Sequence, residues 1–301
     1  MIQLLRGDNM QYTIKDQNTI VTINSKGAEL KSFNVNGKEF MHDANPKYWG
    51  RTAPYLFPNI GTIKDGYVTI EGKDYKFSKH GFLRDTEMEL YEQKENYISF
   101  ILNSSEVTLS SFPYEFKLII SYLLEGQTLT VKLFVKNCGE NPMYFNFGLH
   151  PAFKIPWNDT EAFEDYKIDL GEEISSKLPT VLLDSGLIDW KQTYKEFNNV
   201  RVIKLDHEDY SHDALCIEPY PKHDIKLISP SKESITLSAP GFKTLGIWTP
   251  YPNKAPFICL EPWYGCADNP ETDHNYLNKK DLIRLESNEI WLNTYQLTIN
   301  C

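Results

Sequence analysis

Three segments of this 301-residue chain carry side chains whose types and spacing suit proton transfer. Cys259-Leu260-Glu261-Pro262-Trp263-Tyr264-Gly265 sets one carboxylate between apolar neighbours and beside two large aromatic faces. An ionised group there must be partnered or put to use, because an isolated charge is strongly disfavoured away from water. Asn146-Phe147-Gly148-Leu149-His150-Pro151-Ala152-Phe153 holds an imidazole between a glycine that permits close backbone approach and a proline that keeps His150 extended. Lys79-His80-Gly81-Phe82-Leu83-Arg84-Asp85 places a second imidazole just after a predicted strand, Asp74–Phe77. Singly, each motif has an ordinary reading: a hydrogen-bonded core histidine, or a carboxylate that caps a turn. Together, one carboxylate and two imidazoles on stiffened segments can serve as base, acid and orienting donor. That set fits chemistry on a sugar. Trp263, Phe82 and Phe147 offer faces for the C–H side of a pyranose, and His, Asp, Glu and Arg offer the directional hydrogen bonds its hydroxyls need.

The elements that must position these residues read as strands. The 40 aromatic residues sit in short alternating runs rather than helical stripes. Tyr12–Lys15, Thr19–Asn24 and Glu29–Val35 are such runs, and Asn36-Gly37 supplies the positive φ angles of a tight hairpin. Phe116–Leu124 and Thr128–Val135 flank Glu125-Gly126-Gln127, Tyr67–Ile70 pairs with Asp74–Phe77, and Leu90–Glu92 pairs with Tyr97–Leu102. Lys226–Ser229, Ser234–Ser238 and Thr244–Thr249 continue the series. Only Ser175–Leu187 and Asn278–Leu285 show helical spacing with capping residues. No Pro-, Gly- or Ser-rich stretch is long enough for a linker, so one domain over residues 1–301 is expected. Many strands with few helices to cover them point to a mostly antiparallel β-sandwich.

Composition excludes several classes of function. Forty-one acidic against 31 basic side chains give a net charge of −10, which repels phosphate backbones and anionic lipid surfaces. Neither a nucleic acid nor a membrane is an expected partner. Residues 1–15 show no export signal, and no later stretch approaches the roughly 20 apolar residues of a spanning helix. Five cysteines without CxxC spacing read as reduced thiols, so a cytoplasmic protein is expected.

In order, Arg51-Thr52-Ala53-Pro54-Tyr55-Leu56-Phe57-Pro58 with Gly61, Lys64-Asp65-Gly66, His80-Gly81-Phe82 with Arg84-Asp85, Gly148-Leu149-His150-Pro151 and Glu261-Pro262-Trp263 span most of the chain. This succession resembles the aldose 1-epimerase (galactose mutarotase) family, in particular its LacX-like branch. The resemblance implies a galactose mutarotase-like supersandwich and anomer interconversion of a hexose without cofactor or metal, by a monomer or homodimer. It also implies catalytic roles for Glu261 as general base, His150 as general acid and His80 near the ring oxygen. Asp213, Arg51, Phe82 and Trp263 are the expected substrate contacts, with Asp206 and Asp209 as alternatives to Asp213. Cys216-Ile217-Glu218-Pro219-Tyr220 repeats the shape of the Glu261 motif, and only the resemblance favours Glu261. Gly61-Thr62-Ile63 stands where the branch usually has Gly-Arg-Leu, so a sugar-contacting arginine is expected to be missing, with Arg51 or Lys64 as possible substitutes. The competing readings are a hexose-phosphate mutarotase, a non-catalytic sugar-binding or sensor protein, and a glycosidase using Asp213 and Glu261. A glycosidase needs its carboxylates about 5 to 9.5 Å apart.

Overall fold

The computed structural model describes residues 9–301. Strict alternation builds its central hairpin. In Phe116–Glu125 and Thr128–Asn137, Leu118, Ile120, Tyr122 and Leu124 are fully buried opposite Val135, Leu133, Val131 and Leu129. One face of each strand is thereby committed to the core, which fixes the register, since a slip of one residue would turn these side chains outward. This hairpin lies within a nine-stranded sheet ordered Ile188–Lys204, Lys167–Val181, Ile225–Ile228, Ser234–Ser238, Ile290–Asn300, Thr128–Asn137, Phe116–Glu125, Tyr97–Asn103 and Glu89–Gln93.

A six-stranded sheet carries the chemistry-bearing segments. Its order is Leu215–Ile217, Thr244–Trp248, Phe257–Tyr264, Phe147–Leu149 and Tyr55–Leu56, with Ala152–Lys154 also paired to Phe257–Tyr264. The two sheets meet through aromatic contacts, Phe57 on Phe116 and Phe147 on Trp291. Gln11–Asp16, Thr19–Asn24, Leu30–Val35 and Lys38–Glu39 form a separate four-stranded meander, with Asn36 and Gly37 at positive φ in its last turn. The fold is mostly antiparallel β, as the alternation implies. Among the described residues no helix is long and apolar enough to cross a membrane.

Both helical expectations are corrected. Ser175–Leu187 runs into the strand Lys167–Val181 and the turn that leads to Ile188–Lys204. Residues four apart share a face in a strand as well as in a helix, so the spacing of Leu178 and Leu182 was ambiguous, and Pro179 cannot donate inside a helix. In Asn278–Leu285, Asn275 caps only a short 3-10 turn, Tyr276–Asn278. Asp281 then adopts a positive φ and Ile283–Leu285 pairs with Met143–Phe145.

A buried tyrosine cluster pins one sheet to the other. The Tyr55 hydroxyl lies 2.8 Å from that of Tyr122 and 2.7 Å from that of Tyr295, and Tyr122 donates to the Ala28 carbonyl. Tyr55 pairs with Leu149, the residue before His150, so the cluster also steadies the candidate site. Tyr122→Phe leaves buried groups unsatisfied and is expected to lower stability by about 1–3 kcal/mol in urea denaturation. An unchanged midpoint would show that the cluster does not tie the sheets.

Candidate active site

The site forms where a β-ladder is interrupted. Gly148 pairs with Trp263 and Ala152 with Cys259, so counting inward from either pair sets His150 opposite Glu261. Pro151 and Pro262 have no N–H to give, and the Leu260 N–H reaches the Pro151 carbonyl across the gap at 3.2 Å. Directly opposed residues on one face lie close enough for their side chains to touch. His150 Nε2 accordingly lies 3.2 Å from Glu261 Oε2.

Strand periodicity supplies the next partner. Trp263, two residues beyond Glu261 and on the same face, donates its indole N–H to Glu261 Oε2 at 3.2 Å. Its ring lies over Gly246, the residue opposite Glu261 on the neighbouring strand, where a Cβ would come within 2.5 Å of Cζ2. Trp49 stacks on the His150 ring with centroids 4.6 Å apart, and Trp248 meets it edge-on at 5.7 Å. Glu261 Oε1 and His150 Nδ1 are buried without a hydrogen-bond partner, an arrangement that folded proteins rarely leave in place without a function.

Burial sets the protonation of this pair. It drives the Glu261 carboxyl well above its usual range, the Asp213 carboxylate adds to that push, and the Trp263 N–H opposes it. Burial also lowers the His150 imidazole to about 3, with Arg84 and Lys79 contributing. The pair therefore resists separate charges: it holds one proton, and burial favours that proton on the carboxyl with the imidazole neutral.

His80 has a different part. The Gly61 backbone N–H, which can only donate, points to His80 Nδ1 at 3.0 Å, so the proton of the neutral ring lies on Nε2. Burial, then the neighbouring His150, Arg84 and Lys79, hold this imidazole well below its usual range. His80 is thus a fixed neutral donor rather than a proton exchanger. Its turn depends on Gly81, at φ +71°, where a Cβ would fall 2.1 Å from the Phe57 carbonyl oxygen.

These groups line one cavity of about 320 Å³, within the range of small-molecule sites. Glu261, His150, His80, Asp213 and Trp263 all line it. Asp213 does so from a positive-φ backbone, whereas Asp209 pairs with Lys195 and Asp206 caps its own turn. Arg51 and Phe82 do not line it. Arg51 is turned to Asp85 and the Arg84 carbonyl, and Phe82 packs on Phe57 and Phe116. Glu218 is held by Lys280 at 2.8 Å, away from the cavity. Lys64 reaches the Thr272 carbonyl, so neither Lys64 nor Arg51 stands in for the arginine expected at Thr62.

Sequence reasoning missed Trp49 and Trp248 as cavity residues, and Lys79 and Arg84, which the sequence sets in the His80 motif, line the cavity as well. Trp248 had a signal: it is two residues from Gly246 on one strand and pairs with Cys259, two residues from Glu261 on the next. Cys259 also brings its sulfur within 4.8 Å of donor atoms of His150 and Glu261, the one such cluster among the described residues. Burial raises that thiol well above its usual range, whereas metal coordination requires the thiolate.

Comparison with known proteins bears on the family and the fold. The family model for aldose 1-epimerase matches residues 10–298. The chain is similar to the chromosomal LacX protein of Lactococcus lactis subsp. lactis, 29% identical over 298 residues that cover 96% of this chain and 99% of that protein. Among solved structures, a galactose mutarotase related enzyme from Lactobacillus acidophilus superposes with a TM-score of 0.90 at 29% identity, covering 97% of this chain and 98% of that one. A galactose mutarotase-like protein from Lactobacillus casei gives a TM-score of 0.87 at 26% identity, covering 97% and 100%. The chain, with its galactose mutarotase-like fold, belongs to the aldose 1-epimerase family.

Proposed function

We propose that the protein interconverts the α and β anomers of a hexose by acid–base ring opening and reclosure. The observation that carries this reading is the contact of His150 Nε2 with Glu261 Oε2 at 3.2 Å on the wall of a sugar-sized cavity. Family membership supports an isomerase. The two oxygens that must exchange protons, O1 and O5, are bonded to the same carbon, so the groups that serve them must be close neighbours. Transfer of the shared proton from the Glu261 carboxyl to His150 Nε2 produces the carboxylate and imidazolium that the reaction uses. The carboxylate takes the O1 proton, the C1–O5 bond breaks, and the imidazolium proton goes to O5, leaving an aldehyde and a C5 hydroxyl. Rotation about C1–C2 and reversal of both transfers closes the other anomer. Before and after opening, the pair again holds a single proton.

The remaining residues support that cycle. The Trp263 N–H stabilises the Glu261 carboxylate, and Trp49 and Trp248 fix the imidazole plane. His80 offers a permanent Nε2–H donor, and Asp213 accepts from a sugar hydroxyl. The free cysteines suit a reducing compartment, and we place the protein in the cytoplasm.

Glu261→Gln and His150→Asn are each expected to slow anomer exchange at least about 100-fold by polarimetry on freshly dissolved galactose or glucose, with folding retained. Wild-type rates in both variants would remove the assignment, and sugar binding without any acceleration in the wild type would favour a sensor. The acidic limb of the rate profile is also expected to lie well below the usual imidazole range and the alkaline limb above the usual carboxylate range. Burial opposes a second proton on the pair, so the acidic limb belongs well below 6.5, and it opposes loss of the shared proton, so the alkaline limb belongs well above 4.5. An acidic limb near 6.5, as for a solvent-exposed histidine, would contradict the shared-proton description.

A further inference from the structure

His80 holds its ring from a backbone that needs support. It lies at φ +67°, in the left-handed region that a residue with a Cβ rarely adopts, and such a residue persists only where its surroundings over-determine it. Part of the hold is mutual. The His80 N–H donates to the Gly61 carbonyl at 3.0 Å, and the Gly61 N–H donates back to His80 Nδ1 at 3.0 Å. A second side chain ties the same two segments, 59–61 and 78–80, together. The Asn59 Nδ2 amide donates to the Gly61 carbonyl at 3.3 Å and to the Ser78 carbonyl at 3.2 Å. Apart from the imidazole itself, no other side chain among the described residues hydrogen-bonds across these segments.

Turning the Asn59 amide over would aim its oxygen at both carbonyls, so its orientation is set by its partners. The same orientation leaves Oδ1 without a partner in a fully buried side chain. A leucine of nearly the same shape would fill the position without an orphaned acceptor, and neither carbonyl would be stranded, since Gly61 keeps the His80 N–H and Ser78 keeps the Gly81 N–H at 2.9 Å. The surrounding frame has its own bonds. The Pro58 carbonyl takes the Asn146 N–H at 2.8 Å and the Tyr276 hydroxyl at 3.2 Å, and the Phe57 carbonyl takes the N–H groups of Phe82 and Leu83 at 3.0 and 3.2 Å. What Asn59 adds is a pair of donors beside His80. We propose that Asn59 is a positioning residue for His80: its two amide N–H groups clamp the Gly61 and Ser78 carbonyls, which keeps the Gly61 N–H on His80 Nδ1 and leaves Nε2–H as the donor offered to the cavity. Asn59 does not line that cavity and acts through Gly61 and His80, which do. Its effect on rate rests on the mutarotase reading of the site; its effect on the imidazole rests on this geometry alone.

The test is nitrogen NMR of the histidine side chains, with His80→Gln used to assign the His80 signals, beside anomer exchange of galactose in wild type, Asn59→Leu and Asn59→Ser. Wild type is expected to show His80 as a single tautomer protonated on Nε2. Asn59→Leu is expected to show averaged His80 nitrogen signals and a titration at higher pH than in wild type, because an N–H no longer faces Nδ1. Its kcat/KM is expected to fall about 10-fold, the scale of one neutral hydrogen bond. Asn59→Ser keeps one donor and is expected to lie between the two, which retains the test if the leucine variant does not fold. In a His80→Gln background, Asn59→Leu is expected to lower kcat/KM no further, whereas a merely structural role would cost the same in both backgrounds. An unchanged His80 tautomer in the Asn59 variants, equal losses in both backgrounds, or an Nδ1–H tautomer in wild type overturns the proposal. A wild type that accelerates no anomer exchange would sink the mutarotase reading instead, and the NMR spectra would still decide whether Asn59 holds His80.

Discussion

The site depends on a carboxyl group and an imidazole buried in contact, with one proton between them. Neither charge is welcome there on its own, because removal from water disfavours each ionised form. Sharing a proton keeps the pair neutral overall in both of its forms, so the protein can hold two titratable groups in its interior without a net buried charge. The ion-pair form lies one short proton transfer away. The Trp263 N–H favours it, and under the proposed function the hydroxyls of a bound sugar would favour it too.

The rest of the molecule keeps those atoms in place. Antiparallel register sets His150 against Glu261, and both side chains line the cavity beside a ladder that Pro151 and Pro262 leave incomplete. Gly246 leaves room for Trp263, and Gly81 lets the His80 turn press against the Phe57 carbonyl. The tyrosine cluster anchors the edge of this sheet on its partner through Tyr55. Small residues, rather than additional polar groups, leave room for the packing around the cavity.

Much of this was legible in the sequence because it depends on local pattern. Alternation in Phe116–Glu125 and Thr128–Asn137, and the Asn36-Gly37 turn, identify strands and hairpins without tertiary information. His150 stood out because Gly148 and Pro151 restrict its backbone, and Glu261, His80 and Trp263 because polar groups there sit beside apolar and aromatic neighbours; Asp213, and the choice of Glu261 over Glu218, came from the family resemblance alone. Ser175–Leu187 misled because residues four apart face the same way in strands and helices, and only the pairing with Ile188–Lys204 decides between them. Arg51 and Phe82 misled for another reason: their partners, Asp85 for one and Phe57 with Phe116 for the other, draw them away from the cavity. Trp49, Lys79 and Arg84 enter the site through loop geometry, which no periodicity encodes.

The most direct measurement is a crystal structure of the protein soaked with a slowly turning-over hexose or with Glu261→Gln and galactose. It should show O1 within hydrogen-bond reach of the residue at 261 and O5 facing His150 Nε2. A sugar bound in the cavity with its anomeric carbon turned away from both side chains would contradict the account.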